Sequence, residues 1–192
     1  MNANRKSMLE KDIIQACIDG DKRMYREVYN LCAPYVFSII KNYFEKEEDR
    51  KDAMQEVFAS LYLSLKNFNE NKGTFKSWLS QIVVHQCISL IRKSKMIIVS
   101  YPIEDNLESM DGYMEKLELL TNADLEQMLN AMPQGYKTIF LMYVIEEYSH
   151  KEIGELLGIS AETSRSQLFR GIKWIKNNIL TDAKLMQYGI SK

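Results

Sequence analysis

One stretch, SHKEIGELLGISAETSRSQLFRGIKWIKNN from Ser149 to Asn178, leaves the chain few ways to fold. Ser149 stands three residues before Glu152, the spacing of a capping box: the serine oxygen takes an orphan amide while the glutamate reaches back to the serine amide. Ile153, Leu156 and Leu157 then fall on one helical face. Gly158 supplies a stop that needs no Cβ, Ile159 plugs the corner, and Ser160 caps a second helix. In that second helix Ser164, Leu168, Ile172, Ile175 and Ile179 share one face. The other carries Glu162, Thr163, Arg165, Ser166, Gln167, Arg170, Lys173 and Lys176, with no acid from Thr163 to Lys176. Short hydroxyls, amides and guanidiniums on one helix face suit a DNA major groove, where Arg and Gln bond base edges and Ser and Thr reach phosphates. Polar-sided helical hairpins are common, so spacing alone leaves an ordinary solvated face equally open. The small Gly154, the short Gly-Ile-Ser turn and the acid-free outer face favour a DNA reader.

Helical periodicity extends through most of the chain. With three prolines and eight glycines in 192 residues, and 46% hydrophobic against 27% charged content, the expected fold is all-α. The pattern predicts helices over Met8–Gly20, Asp21–Glu45 (bent or split at Pro34), Glu47–Lys66 and Thr74–Lys93. After a gap it resumes over Asn122–Met132 and Gln134–Ile145, Pro133 suiting a helix start. Between the two sets lies a stretch with Pro102, Gly112 and an acidic excess, which reads as a linker. The organisation expected is two small helical domains, 1–95 and 121–192, joined by an acidic linker at 96–120, the second domain holding the helix-turn-helix. No apolar run reaches the length of a membrane span. The N-terminus lacks a signal-peptide core, so a cytoplasmic location is expected. Cys17, Cys32 and Cys87 read as buried free thiols.

The net charge of −1 hides a segregation. Residues 1–95 carry 16 basic and 12 acidic side chains, residues 96–120 carry 1 and 6, and residues 121–192 carry 8 of each. No acid occurs between Glu70 and Glu104, while Lys72, Lys76, Arg92, Lys93 and Lys95 fall inside that window. Local patches, not the total, govern contact with phosphate.

Two surfaces follow. On Glu47–Lys66, the residues Met54, Val57, Phe58, Leu61, Tyr62 and Leu65 form an inner stripe. Asp52, Gln55, Ala59 and Leu63 lie opposite, bordered by Glu56. A lone exposed leucine is usually without meaning. Ala between Gln and Leu nonetheless makes a flat strip on which a basic partner helix could lie. Downstream, the polar loop Asn67–Gly73 offers Asn69, Asn71 and Lys72, flanked by Phe68 and Phe75, then Trp78, His85, Arg92 and Lys93. Amides, cations and aromatic platforms are what unstacked bases require. Packing is the competing explanation for the aromatics, and it is expected to hold for Phe75 and one face of Trp78.

These stretches together resemble the bacterial RNA polymerase sigma factors, in particular the short two-domain extracytoplasmic-function group, over roughly Asp12–Lys95 and Asn122–Ile179. Asp52-Ala53-Met54-Gln55-Glu56-Val57-Phe58 resembles the family's polymerase-binding helix. Gly73-Thr74-Phe75-Lys76-Ser77-Trp78-Leu79 and Arg92-Lys93 resemble its promoter-melting segment. Met132-Pro133, Tyr136, Ile139-Phe140 and Glu152 to Ser160, with Thr163 and Arg170, resemble its upstream-element reader. The resemblance implies that Asp52, Gln55, Glu56, Ala59 and Leu63 hold the large subunits of core polymerase. It implies that Asn69, Asn71, Lys72, Thr74, Lys76, Trp78, His85, Arg92 and Lys93 take the melted −10 strand. Thr163, Arg165, Ser166, Gln167, Arg170 and Lys173 would read the −35 duplex. It further implies an anti-sigma partner, and a linker near the RNA exit path, which its acidity suits as well as it suits a solvated tether. Three residues depart from the pattern: His85 and Ser89, where Asn and Asp are common, and Ser164, where the family has an apolar residue. Ser164 brings a hydroxyl needing a partner, such as a backbone carbonyl one turn back; together the three departures imply altered sequence preference or looser helix docking, not loss of function.

Other classes fit less well. A stand-alone helix-turn-helix regulator would leave the first domain idle, and a protein-only adaptor would leave the acid-free face idle. For an enzyme, His85 and Cys87 face apart on a helix, no cluster has metal-ligand spacing, and no glycine loop cradles phosphate. No catalytic residue, metal or cofactor is expected.

Overall fold

The computed structural model describes residues 11–93 and 122–178, and these fall into two compact units divided between Lys93 and Ser94. Every regular element among the described residues is helical. The expected helix start at Met8, the linker at 96–120, and Lys95 and Ile179 lie outside the described residues.

The first unit is built on helix ends that hand over to one another. α1 (Lys11–Ile18) stops at Gly20, whose φ of 91° only glycine adopts freely. The Gly20 amide donates to Cys17 O (3.0 Å) and the Asp21 amide to Ala16 O (2.9 Å), the paired bonds of a Schellman ending. Asp21 at once caps α2 (Lys22–Tyr43), its carboxylate accepting from the Arg23 amide at 2.8 Å. Of the two outcomes open at Pro34, splitting is excluded: α2 runs through it as one helix. Beyond α2, the Arg50 guanidinium of α3 (Glu47–Ser64) donates to Phe44 O at 2.8 Å. Between α3 and α4 (Phe75–Lys93) the sequence suggests an irregular loop. The structure instead forms two short 3₁₀ turns, Leu65–Asn67 and Glu70–Lys72, the second started by Asn69, which accepts the Asn71 amide at 2.9 Å. Thr74 caps α4 as expected, accepting the Ser77 amide at 3.1 Å.

α2, α3 and α4 close on a core of Val28, Cys32, Val36, Ile40, Ala53, Val57, Leu61, Leu79, Val83, Val84 and Cys87, all fully shielded. The three cysteines are free and buried; burial pushes the Cys17 thiol up and Cys32 to about 11. At one edge Tyr25 lies against Tyr62 and Tyr29 against Phe58, with the Tyr62 hydroxyl donating to Tyr25 O at 2.8 Å.

The second unit comprises α5 (Asn122–Ala131), α6 (Gln134–Phe140), α7 (His150–Leu157) and α8 (Ala161–Asn178). The helix expected to run to Ile145 changes character at Leu141. Leu141–Ile145 winds as a wider π turn, in which the Glu146 amide donates to Leu141 O at 3.0 Å, five residues back. The chain then reverses at Glu147, with φ 60°. Met128, Met132, Ile139, Met142, Ile153, Leu168, Ile172 and Ile175 make the core. α8 reaches α6 through Gly171, where a Cβ would lie 3.2 Å from that of Tyr136.

The tightest approach is at the α7–α8 corner. A Cβ on Gly154 would lie 2.7 Å from the backbone oxygen of Ile159, a group that cannot move without moving the turn. We expect Gly154→Ala to destabilise the second unit by about 1–3 kcal/mol, the usual cost of forcing atoms into a packed site. Gly135→Ala, with nothing within 4 Å of the added methyl, should leave stability unchanged or raised by up to about 1 kcal/mol. Calorimetry of the two variants decides this; equal transitions would contradict it.

Candidate nucleic-acid interfaces

In the helix-turn-helix α7 is fixed at both ends and α8 at its start. Ser149 Oγ accepts from the Glu152 amide (3.3 Å), and the Glu152 carboxylate accepts from the Ser149 amide (2.8 Å) and hydroxyl (2.6 Å). These bonds hold the Glu152 carboxyl below the usual carboxylate range. Gly158 sits in the left-handed region with φ 72°, and Ser160 Oγ accepts the Thr163 amide at 3.0 Å to start α8. The capping and turn chemistry expected from the sequence is thus present throughout.

The outward face of α8 is narrower than its periodicity suggests. Arg165, Lys173 and Lys176 are exposed, and Thr163 and Arg170 are half-buried. Arg165 pairs with Glu162 at 3.3 Å in an exposed i,i+3 bridge, a weak tie that leaves the guanidinium available. Ser166 and Gln167, expected on the outer face, are buried. Gln167 lies one turn before Gly171, on the flank that Tyr136 closes.

Ser164 is also completely buried, and its partner is a side chain rather than a carbonyl one turn back. His150 Nδ1 lies 2.9 Å from Ser164 Oγ, and the His150 ring stacks on Tyr143 with centroids 4.3 Å apart and planes at 16°. Burial and the neighbouring Arg165 charge hold the His150 imidazole below its ordinary pKa. His150 and Tyr143 escape sequence reading because their partners come from different elements.

In the first unit, Asn69, Asn71, Lys72, Thr74, Lys76, His85, Arg92 and Lys93 are all exposed, while Phe68 and Trp78 are half-buried. Phe68, Phe75 and Trp78 form a triangle with centroids 5.3 to 5.6 Å apart. Phe75 belongs to the core and Trp78 packs on one side, as expected. Asn69 and Thr74 already spend a side-chain oxygen on the backbone. Trp78, His85 and Arg92 follow one another at seven-residue spacing along one side of α4. Lys76 leaves that line: its ammonium lies 5.0 Å from the Tyr35 ring on α2, a cation–π contact invisible to a reading of α4 alone.

On α3, Asp52, Gln55, Glu56, Ala59 and Leu63 are all exposed along one strip, Leu63 retaining 78% of its surface. Among the described residues no group of side chains could hold a metal ion, and no helix is long and apolar enough to cross a membrane.

Known proteins match both units. Residues 28–96 match the family model described as sigma-70 region 2, and residues 122–175 match sigma-70, region 4. The chain is 28% identical over 172 residues to RNA polymerase sigma factor SigV of Bacillus subtilis, covering 90% of this chain and 94% of that protein. It is 23% identical over 186 residues to ECF RNA polymerase sigma factor SigW of the same organism, covering 90% and 97%. To ECF RNA polymerase sigma factor SigE of Mycolicibacterium smegmatis it is 26% identical over 159 residues, covering 81% of this chain and 56% of that longer protein.

The His150 environment has a testable sign. Its folded pKa is lowered from 6.5, so the unfolded chain binds more protons in weak acid. The stability His150 contributes is present above about pH 6.5 and is lost as pH falls below that value. An NMR titration of the chain, assigned with His85→Asn, should place the His150 midpoint below 6.5; a midpoint above it would overturn the sign.

Proposed function

This chain belongs to the RNA polymerase sigma factors, in the extracytoplasmic-function group, and on that premise we propose how its two units divide the work of directing polymerase to promoters and starting transcription. The first unit binds the large subunits of core polymerase through the α3 strip of Asp52, Gln55, Glu56, Ala59 and Leu63. It takes unstacked −10 bases between Asn69, Asn71, Lys72 and Thr74 on one side and Trp78, His85, Arg92 and Lys93 along α4. The second unit lays α8 in the major groove of the −35 element, with Arg165 and Arg170 at base edges and Thr163, Lys173 and Lys176 nearer phosphate.

The observation that carries this reading is Leu63. A leucine left 78% exposed beside a small alanine, in the same chain as a fully capped helix-turn-helix, favours a protein partner over a stand-alone regulator. The energetics agree. Only four cations, Arg165, Arg170, Lys173 and Lys176, lie on α8, so α8 alone releases few counterions, the main source of unaided DNA affinity. Polymerase that holds both units makes the second contact intramolecular and so strengthens both. Unstacking a base costs a few kcal/mol, recovered in polar and aromatic contacts around the 3₁₀ turns and α4. The work is binding and strand capture rather than catalysed bond chemistry. The chain acts in the cytoplasm, where an anti-sigma protein would compete for the same faces.

Run-off transcription with core polymerase over a promoter library tests the whole. Addition of this chain should select a promoter class with conserved −10 and −35 sequences; no selection would reject the reading. Arg165→Ala with Arg170→Ala should lower use of the upstream element at least tenfold, since a good base contact is worth about 1–3 kcal/mol, with core binding intact. Gln55→Ala with Leu63→Glu should abolish capture by purified core while leaving the melting transition in place, and retention on core would reject the α3 strip.

A further inference from the structure

The geometry points to His150 as a positioning residue for promoter reading: through its hydrogen bond to Ser164 it sets the seat of α8 in the groove. The inference rests on the proposed reading of the −35 element by α8.

Three observations converge. First, Ser164 is completely buried on the inner face of α8, directly before the exposed Arg165. A buried hydroxyl without a partner is costly, so its bond constrains the helix that carries it. Second, that partner is His150 Nδ1 at 2.9 Å, from the first residue of α7. His150 and Gly154 lie one turn apart on the same face of α7, so this bond adds to the Gly154–Ile159 approach on the side that meets α8. Third, His150 is itself held: its ring stacks on Tyr143 at 4.3 Å. Tyr143 comes from the π turn, whose wider winding carries it. Tyr143, His150 and Ser164 thus run in series from the preceding helix to the second turn of the reading helix, with Arg165 as the next residue out. A shift of the Ser164 backbone moves the Arg165 guanidinium against the base edges it must meet. Hydrogen-bond readout tolerates little displacement.

Two substitutions separate the links. His150→Phe keeps a ring for Tyr143 but has no atom for Ser164. His150→Asn places an amide near the position of Nδ1 but gives up the stack. In run-off transcription with core polymerase, the readout is the ratio of output from a promoter with the matched upstream element to one in which it is scrambled. His150→Phe and Ser164→Ala should each lower that ratio about fivefold, the worth of one neutral hydrogen bond. The double variant should lower it no further, because both changes remove the same bond. His150→Asn should restore most of the ratio. Capture by core and output from the scrambled promoter should stay at the level of the unaltered chain. If His150→Phe and Ser164→Ala keep the full ratio while Arg165→Ala loses it, the inference is wrong and the reading by α8 stands. If Arg165→Ala also keeps the ratio, that reading fails and the inference falls with it. Losses that add in the double variant, or an Asn variant as poor as the Phe variant, would likewise overturn it.

Discussion

Every helix begins with amides that have no partner inside the helix, and much of this architecture turns on where those amides find one. Asp21, Thr74, Ser149 and Ser160 each stand just before a helix and supply a side-chain oxygen to an amide within it. Because these acceptors are side chains, the start of each of these four helices is fixed by the identity of a single residue. At Asp21 the same residue also closes the preceding helix, its amide bonding back to Ala16. At the α7–α8 corner, two caps, a left-handed glycine and the missing Cβ of Gly154 leave the turn one conformation. A reading helix is useful only if its angle is set before DNA arrives, since ordering it at that moment would draw on the binding energy.

On the proposed reading, the two units meet different recognition problems with the same material. α8 offers a rigid polar ridge, suited to a duplex whose base edges are already arrayed in a groove. The segment between α3 and α4 offers short turns, exposed amides and a half-covered tryptophan, suited to bases that must first leave their stack. Charge follows the same division. The first unit concentrates cations in a window without acids, where a flexible single strand needs a track. Residues 121–192 are neutral as a whole, and four of their eight cations, Arg165, Arg170, Lys173 and Lys176, lie along α8.

Much of this was legible in the residues. The fold class, the capping box, the glycine stop, the Thr74 cap and the exposed α3 strip all follow from local chemistry at fixed spacings, and local chemistry is what a linear reading captures. What escaped it depends on contacts between distant positions. The stack of Tyr143 on His150 requires the π turn, which no spacing announces. The contact of Lys76 with Tyr35 joins α4 to α2. Gln167 lies one turn before Gly171, where α6 approaches α8, and a residue polar by identity and outward by simple periodicity is covered. Ser164 illustrates the same limit: an apolar position filled by a hydroxyl looks like a defect in sequence, and becomes intelligible only when His150 is found opposite it.

The buried sulfur of the first unit has a chemical consequence. Peroxides and electrophiles attack the thiolate, not the thiol. Burial pushes Cys32 up to about 11, which keeps it in the unreactive thiol form at neutral pH, and its surface is fully covered. Cys17 is biased the same way. Cys17 and Cys32 serve as small, dense fillers between helices, chemically silent toward oxidants.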